Sequence, residues 1–297
     1  MIRILFSVFF CLIFSLSVFS QEKSSYELSV KGSVIQGSAL FLTVKSADSD
    51  DITASASFRG KKADFVKFGN RLKTTVPVAL DSPEGAYKLT VEIFKENKKA
   101  ELFERIVKVK AHTYGKQQLW LSDSQLSKYD DPQADKDNDD ILKALSFHTD
   151  GIEWNNRFIQ PTEGYISTLF GLKRFYNNDP EPEFHKGLDI SAPLGQKVYS
   201  SQNGIVRMAR RNLVLHGDTV VIDHGRGIGT IYLHMNSISV KEGDFVKQGQ
   251  TIGTVGNKGA STGPHLHWAT YSNATAIDPK QLINMPLDWL EKTGDKR

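Results

Sequence analysis

The chain has almost no cysteine. Its one cysteine among 297 residues is Cys11, which lies in the middle of the one long apolar run, residues 4–19. If that run is removed on export, the mature protein has no thiol. The sequence then excludes cysteine catalysis, zinc–thiolate sites and disulfide bonds, and the fold depends on core burial alone.

An excess of charge of one sign is also lacking. The chain carries 37 Lys and Arg residues against 34 Asp and Glu residues, which gives a net charge of +3. This value falls by one when Arg3 is lost with the apolar run. So small an excess gives no reason to expect nucleic acid or a strongly anionic membrane as a partner.

Residues 1–20 have the pattern of a signal peptide. Arg3 precedes the apolar run, and Val18 and Ser20 stand at positions where a signal peptidase reads small or β-branched residues. We therefore predict export to the periplasm or cell envelope, with no membrane span after cleavage. The alternative is an uncleaved membrane anchor, although the run is at the short edge for a spanning helix and lacks a basic stop-transfer flank.

Residues 21–112 have the pattern of short strands separated by turns. In segment 85–93, the residues Tyr87, Leu89 and Val91 fall on one face and polar residues fall on the other. Clusters of Gly, Asp, Ser and Pro separate several similar segments. About seven strands at this spacing predict a small immunoglobulin-like β-sandwich. We find no catalytic grouping in this part of the sequence.

Residues 113–153 differ in composition, being rich in Asp, Lys, Ser and Gln. We predict a polar, solvated linker with one short helix, where Ile141, Leu142, Leu145 and Phe147 cluster. We also hold the hypothesis that the linker or the sandwich covers a groove in the following domain and keeps it latent.

Residues 154–297 return to strand patterns that are dense in glycine. Segments 219–223, 230–233 and 251–255 have the composition of strands, and almost nothing indicates a helix. We predict a twisted antiparallel β domain, so the whole chain is expected to be all-β. Six of the eight histidines lie in this domain, which makes it the place to look for chemistry.

Two histidines lie one residue apart in GPHLHW, residues 263–268. Side chains alternate along a strand, so His265 and His267 would share one face with their Cα atoms ~6.6 Å apart. That spacing suits two groups that meet at one metal ion or one substrate. A strand also carries two histidines for structural reasons, so the pair alone leaves both interpretations open.

A second pair, His185 and Asp189, lies in the segment HKGLD. An ideal strand would hold the two residues ~13 Å apart, too far for a shared ion unless the chain bends, for which Gly187 is the candidate. Two histidines and a carboxylate would form a ligand shell for zinc with a fourth position open to water. Alternation also places Tyr232 and His234 on one face, and His234 beside such a site is a candidate base or transition-state stabiliser.

The segment from about residue 159 to residue 268 resembles the M23 family of zinc metalloendopeptidases, also called the LytM or lysostaphin type. Members of that family cleave peptide cross-bridges or stem peptides of bacterial peptidoglycan. The resemblance implies that residues 154–297 form an antiparallel β LytM-type peptidase domain. Lys258 is a mild departure, because threonine is common at that position. The matching segments are ISTLFG (166–171), HKGLD (185–189), YLHM (232–235), GDFVKQGQ (243–250) and TGPHLH (262–267).

Carried over motif by motif, the resemblance implies one Zn²⁺ per chain, held by His185, Asp189 and His267. It makes His234 and His265 the catalytic pair that orients or deprotonates the water and stabilises the developing oxyanion. The predicted function is an exported zinc endopeptidase that hydrolyses peptide cross-links or stem peptides of peptidoglycan, its expected partner. The sequence predicts neither the bond that is cleaved nor the oligomeric state.

Three other functions fit parts of the sequence. Ser261 lies in a G-x-S-x-G pattern, but that nucleophile motif needs a strand, a sharp turn and a helix, whereas Pro264 and a strand follow here. Residues 243–249 resemble the hairpin of a biotinyl or lipoyl carrier, a cytoplasmic class that the export signal and the histidine motifs speak against. The main alternative is a non-catalytic cell-wall-binding or hydrolase-regulating module on the same fold, which typically loses zinc ligands that are all present here.

Overall fold

A computed structural model describes residues 24–47, 51–68, 70–147 and 149–290, except for the side chain of Asp288. The predicted signal peptide, residues 1–20, lies outside these residues. Among the described residues, no helix has the length and apolar composition that crossing a bilayer requires. Strands form most of the regular structure, which is the all-β class that the sequence predicts.

Eight strands form the N-terminal unit. They are β1 (Tyr26–Gly32), β2 (Ser38–Ser46), β3 (Ile52–Phe58), β4 (Lys61–Asp64), β5 (Val66–Phe68), β6 (Arg71–Val78), β7 (Gly85–Lys95) and β8 (Lys98–Val109). Two four-stranded antiparallel sheets result, with the orders β1-β2-β6-β5 and β4-β3-β7-β8. Alternate residues such as Leu40, Leu42, Val91 and Ile93 fill the core between the two sheets. This order is that of an immunoglobulin constant-type sandwich with β4 added beside β3, so it supports the immunoglobulin-like prediction.

Twelve strands form the C-terminal unit. They are β10 (Tyr165–Thr168), β11 (Lys173–Tyr176), β12 (Glu183–Phe184), β13 (Leu188–Ser191), β14 (Lys197–Tyr199), β15 (Gly204–Leu213), β16 (Gly217–Asp223), β17 (Ile228–Ile238), β18 (Phe245–Val246), β19 (Thr251–Val255), β20 (His265–Ser272) and β21 (Thr275–Ile277). Its main sheet has the order β10-β13-β20-β17-β16-β15-β18, and β14, β19 and β21 pair beside this path. All pairs of this sheet are antiparallel, as predicted. Two short helical segments, α-helical Pro279–Ile283 and 3-10 Leu287–Trp289, follow the last strand.

The segment that we predicted to be a solvated linker packs onto the C-terminal unit instead. It contains β9 (Lys116–Leu119), the one-turn helix α1 (Asp123–Leu126) and the helix α2 (Pro132–Leu145). Strand β9 pairs in parallel with β11. Helix α2 is longer than expected, and its residues Ile141 and Leu145 join a core cluster with Leu233 of β17. Asp137 is buried, and its carboxylate accepts a hydrogen bond from the Val214 amide at 2.9 Å, which offsets part of the cost of burial.

The two units share a buried interface. The rings of Phe41 and Trp289 meet edge to face with centroids 4.8 Å apart. The Gln281 side chain makes two hydrogen bonds to the backbone of Ala39, in the manner of a neighbouring strand. Because this contact combines apolar packing with paired backbone groups, the sandwich is fixed against the side of the C-terminal unit.

His224 makes the folding free energy depend on pH. Its ring is fully buried, with Nδ1 2.8 Å from the Asn203 carbonyl oxygen and Nε2 2.8 Å from the Thr230 hydroxyl. Burial lowers the pKa of His224 from 6.5 to about 4. The unfolded imidazole therefore binds a proton first as the pH falls, which favours unfolding between pH 6.5 and 4.

We expect this contribution to be complete above pH 6.5 and to decrease by about 3 kcal/mol as the pH falls to 4. Urea unfolding at several pH values measures it. The His224→Gln variant, whose side chain does not titrate, should show a smaller decrease over that window than the wild type. Equal pH dependence in the two proteins would contradict the assignment.

Candidate metal centre

Two neighbouring strands bring three of the sequence-predicted residues together. Asp189 of β13 lies directly opposite His267 of β20, and His185 directly follows β12. Asp189 Oδ1 is 3.0 Å from His185 Nε2 and 2.9 Å from His267 Nδ1. The two imidazole nitrogens are 3.0 Å apart. Three donor atoms therefore converge on one point, as metal ligands do.

The chain bends between His185 and Asp189, because β12 ends at Phe184 and β13 begins only at Leu188. Gly187 lies within this bend, where the sequence predicted it, and it also permits a close contact. A Cβ atom at Gly187 would lie 2.7 Å from His267 Nε2 and 2.6 Å from the Trp268 carbonyl oxygen. Glycine is therefore needed for the close approach of the backbone to the His267 ring.

Hydrogen bonds fix the orientation of two of the three groups. His185 Nδ1 lies 2.8 Å from the Leu169 carbonyl oxygen, which can only accept, so Nδ1 carries the proton and Nε2 faces the other ligands. On the far side of the carboxylate, Arg174 donates to Asp189 Oδ2 at 2.5 Å. Arg174 Nε in turn donates to Gln117 Oε1 of β9 at 3.1 Å.

The protonation states suit metal binding. Burial alone raises the pKa of Asp189, but the hydrogen bonds and charges of His185 and His267 outweigh it and hold that pKa well below its usual range. Burial lowers the pKa of His267 from 6.5 to about 4. At neutral pH the site thus offers a carboxylate and a neutral imidazole, the forms in which these groups bind metals.

His265 lies beside the three converging groups. Its Nδ1 is 2.8 Å from the Gly263 carbonyl oxygen and 3.1 Å from the Ser261 hydroxyl. Its Nε2 is 3.8 Å from Asp189 Oδ1. Because Nδ1 donates to the carbonyl, Nε2 is the ring nitrogen that faces the site. Ser261 lies in the loop before β20, and this strand follows where the G-x-S-x-G nucleophile motif requires a helix.

His234 reaches the site through a β-bulge. Two residues of β17, Leu233 and His234, stand opposite the single residue Thr219 of β16. His234 has a φ of +59°, and its ring centroid lies 4.9 Å from that of His265. Tyr232 points into the core, where its hydroxyl meets Ser201. Our prediction that Tyr232 and His234 share a face is wrong, because the bulge interrupts the alternation.

His234 is held as a neutral base. Its Nδ1 lies 2.8 Å from the Lys258 carbonyl oxygen, so Nδ1 carries the proton and Nε2 is unprotonated. Burial, followed by the proximity of His265 and His267, lowers the pKa of His234 well below its ordinary value. His234 and His265 therefore present two free ring nitrogens beside the three converging donors.

A groove of about 220 Å³ opens over these residues. Asp189, His234 and His265 are among the residues that line it. One wall comes from the segment predicted to be a linker, through Gln117, Leu119, Leu121 and Tyr129. The groove combines these polar side chains with apolar ones such as Leu119, Leu121 and Pro264.

The sequence did not identify Arg174, Gln117 or Lys258 as parts of the site. Arg174 had a signal, because it lies three residues after the ISTLFG segment that the resemblance includes. Lys258 was visible only as a departure from the family pattern. Gln117 had no signal, because nothing in a polar sequence predicts that β9 pairs with β11.

The donor set of two imidazole nitrogens and one carboxylate oxygen fits a metal ion that keeps further coordination positions open. Comparison with protein families agrees with this geometry, since the model of peptidase family M23 matches residues 183–279. We call these residues the M23 segment. The M23 segment includes all five predicted site residues.

Relatives of the M23 segment include named peptidoglycan enzymes. Peptidoglycan DD-endopeptidase ShyA of Vibrio cholerae is 37% identical over 153 residues, which cover 52% of this chain and 33% of that protein. DD-carboxypeptidase/endopeptidase Mpg of Neisseria meningitidis is 39% identical over 95 residues, 32% of this chain and 22% of that protein. The chain thus spans a third or less of the length of these two curated relatives.

A solved structure shares the fold over most of the chain. The crystal structure described as a peptidase M23 from Pseudomonas aeruginosa matches with a TM-score of 0.61 and 23% identity. The match covers 84% of this chain and 94% of that one. At this identity the likeness shows a common fold, and it includes more of the chain than the M23 segment.

Proposed function

We propose that this chain is an exported, zinc-dependent endopeptidase that hydrolyses peptide cross-links or stem peptides of peptidoglycan. The observation that carries the proposal is the convergence of His185, Asp189 and His267 beside the free nitrogens of His234 and His265. The names of the M23 relatives support the substrate class. Residues 1–20 would direct export to the periplasm or cell envelope.

The same proposal assigns a role to each of three segments of the chain. Residues 21–112 form the sandwich, residues 113–153 connect it to the enzyme, and residues 154–297 form the peptidase domain. The connecting segment belongs functionally to the enzyme, because it supplies one wall of the groove.

Zinc is the metal that the donor set favours. Two histidines and one carboxylate are the protein ligands of several catalytic zinc sites, and no thiol or additional carboxylate is required. We therefore propose one Zn²⁺ per chain, held by His185, Asp189 and His267. When bound, zinc lowers the pKa of a water molecule and polarises the substrate carbonyl.

His265 would transfer the proton of the attacking water, and His234 would orient that water. The Nε2 of His265 accepts the proton of the attacking water as the water oxygen bonds to the carbonyl carbon. The protonated ring then passes that proton to the amine as the carbon–nitrogen bond breaks. The Nε2 of His234 accepts a hydrogen bond from the water and so orients it, and a histidine that has gained a proton can donate to the developing oxyanion.

Purified sacculi distinguish this enzyme from a non-catalytic wall-binding module. We expect the zinc-loaded protein to release muropeptides with newly formed amino and carboxyl termini, which mass spectrometry of the soluble fraction identifies. A wall-binding module would sediment with the sacculi and release nothing. That result would overturn the proposed activity and favour the alternative function.

Arg174 should strengthen zinc binding through Asp189. Because its guanidinium holds Asp189 Oδ2, the carboxylate presents Oδ1 to the metal in one orientation. We expect the Arg174→Met variant to bind zinc about 10- to 100-fold more weakly, the usual cost of losing a group that supports a ligand. Competition with a fluorescent chelator measures the affinity. Arg211→Met, a change at an exposed position, is the matched control and should bind like the wild type.

A further inference from the structure

The backbone of Lys258 sets the tautomer of His234. Its carbonyl oxygen lies 2.8 Å from His234 Nδ1 and can only accept a hydrogen bond. The position of this one carbonyl therefore decides which nitrogen of His234 faces the groove. A carbonyl oxygen in a loop selects one tautomer only if the loop has a fixed position.

The side chain of Lys258 ties its loop to the main sheet. Its ammonium group donates to Asp218 Oδ2 of β16 at 2.9 Å and to the Asn236 carbonyl oxygen of β17 at 2.8 Å. Asp218 is fully buried, and its other oxygen accepts from the Asn212 amide at 3.1 Å. A buried carboxylate with these partners is a fixed anchor, because releasing the lysine would leave its charge without compensation.

The backbone that receives this support is strained. A φ of +59° is rare for a residue with a side chain and is energetically unfavourable. The His234 amide donates to the His216 carbonyl oxygen at 2.8 Å. Gly217, next to His216, packs so closely on Lys258 that a Cβ atom there would lie 2.6 Å from the Lys258 Cβ. Lys258 therefore contacts both β16 and β17, the two strands whose register shift forms the bulge at His234.

We propose that Lys258 is a positioning residue for His234. The ion pair with Asp218 fixes the carbonyl that accepts from His234 Nδ1, and this directs His234 Nε2 at the groove. The catalytic consequence rests on the proposed function, whereas the control of the tautomer does not depend on any turnover.

Two measurements on the zinc-loaded protein test the role of Lys258. In ¹⁵N-histidine NMR spectra of Lys258→Met, the chemical shifts of the two His234 ring nitrogens should move away from the values of the Nδ1–H tautomer that the wild type has. The maximal rate of muropeptide release should fall about 10- to 100-fold with zinc content unchanged. Lys258→Arg should restore much of both signals, because arginine keeps the charge, and Lys247→Met, at an exposed position, should match the wild type.

An unaltered His234 tautomer in Lys258→Met would overturn the proposal. If that variant does not fold, Asp218→Asn, which keeps the side-chain shape and removes the charge of the anchor, decides the question by the same spectra. A wild type that releases no muropeptides would overturn the proposed function, while the spectra would still decide the role of Lys258.

Discussion

Replacing His267 by alanine should remove the metal and the activity together. His267 supplies one of three donor atoms that lie about 3 Å apart, and two remaining groups cannot hold zinc in a tetrahedral site. We expect zinc affinity to fall by more than about 100-fold, the most that loss of a supporting group usually costs. Elemental analysis after dialysis measures the zinc, and muropeptide release measures the activity.

His265→Ala gives the contrasting result. Its Nε2 is 3.8 Å from Asp189 Oδ1, outside the set of three converging donors. We expect this variant to keep stoichiometric zinc and to lose release by about 10²- to 10⁴-fold, the usual contribution of a general base. His112→Ala, at an exposed position, is the matched histidine control. Full zinc in His267→Ala, or lost zinc in His265→Ala, would reverse the assigned roles.

Replacing Arg226 by alanine should destabilise the junction of the two units. The Arg226 side chain is buried, and its guanidinium carbon lies 3.9 Å from the ring centroid of Phe68 and 4.0 Å from that of Trp154. It donates to the carbonyl oxygens of Trp289 and Ile152. Truncation leaves a cavity between aromatic rings and removes two charge-assisted hydrogen bonds.

We expect the Arg226→Ala variant to lose about 3 kcal/mol or more of unfolding free energy, in the range of large-to-small changes in cores. Chemical denaturation followed by tryptophan fluorescence measures it, because Trp154 and Trp289 surround the site. Arg210→Ala is the matched control, since Arg210 pairs with Asp140 at the surface and should cost less than about 1 kcal/mol. Similar losses of unfolding free energy in the two variants would show that the aromatic rings around Arg226 contribute no additional stability.

The sequence predicted the fold class and named five residues that the structure brings together, because both depend on local patterns. Alternation identified strands such as β7, and the HxH and HxxxD spacings identified the donors. The family resemblance then supplied roles that spacing alone left open. These signals are short in range, so one sequence was enough to read them.

The features that the sequence did not predict depend on contacts between distant segments. The bulge at His234 follows from a register shift between β16 and β17, which leaves no mark on the alternation of β17 itself. The packing of the predicted linker depends on the pairing of β9 with β11. The two segments are far apart in the sequence, since Gln118 and its hydrogen-bond partner Asn177 are separated by 59 positions. Polar composition therefore indicated a solvated segment where the structure has a wall of the groove.

Zinc titration of the metal-stripped protein, with mass spectrometry of the muropeptides it releases from purified sacculi, tests the central claim most directly. The account predicts no release without metal and a rate that rises to a plateau at one zinc per chain. Release that is independent of zinc, or no release at any zinc concentration, would contradict a zinc endopeptidase built on His185, Asp189 and His267.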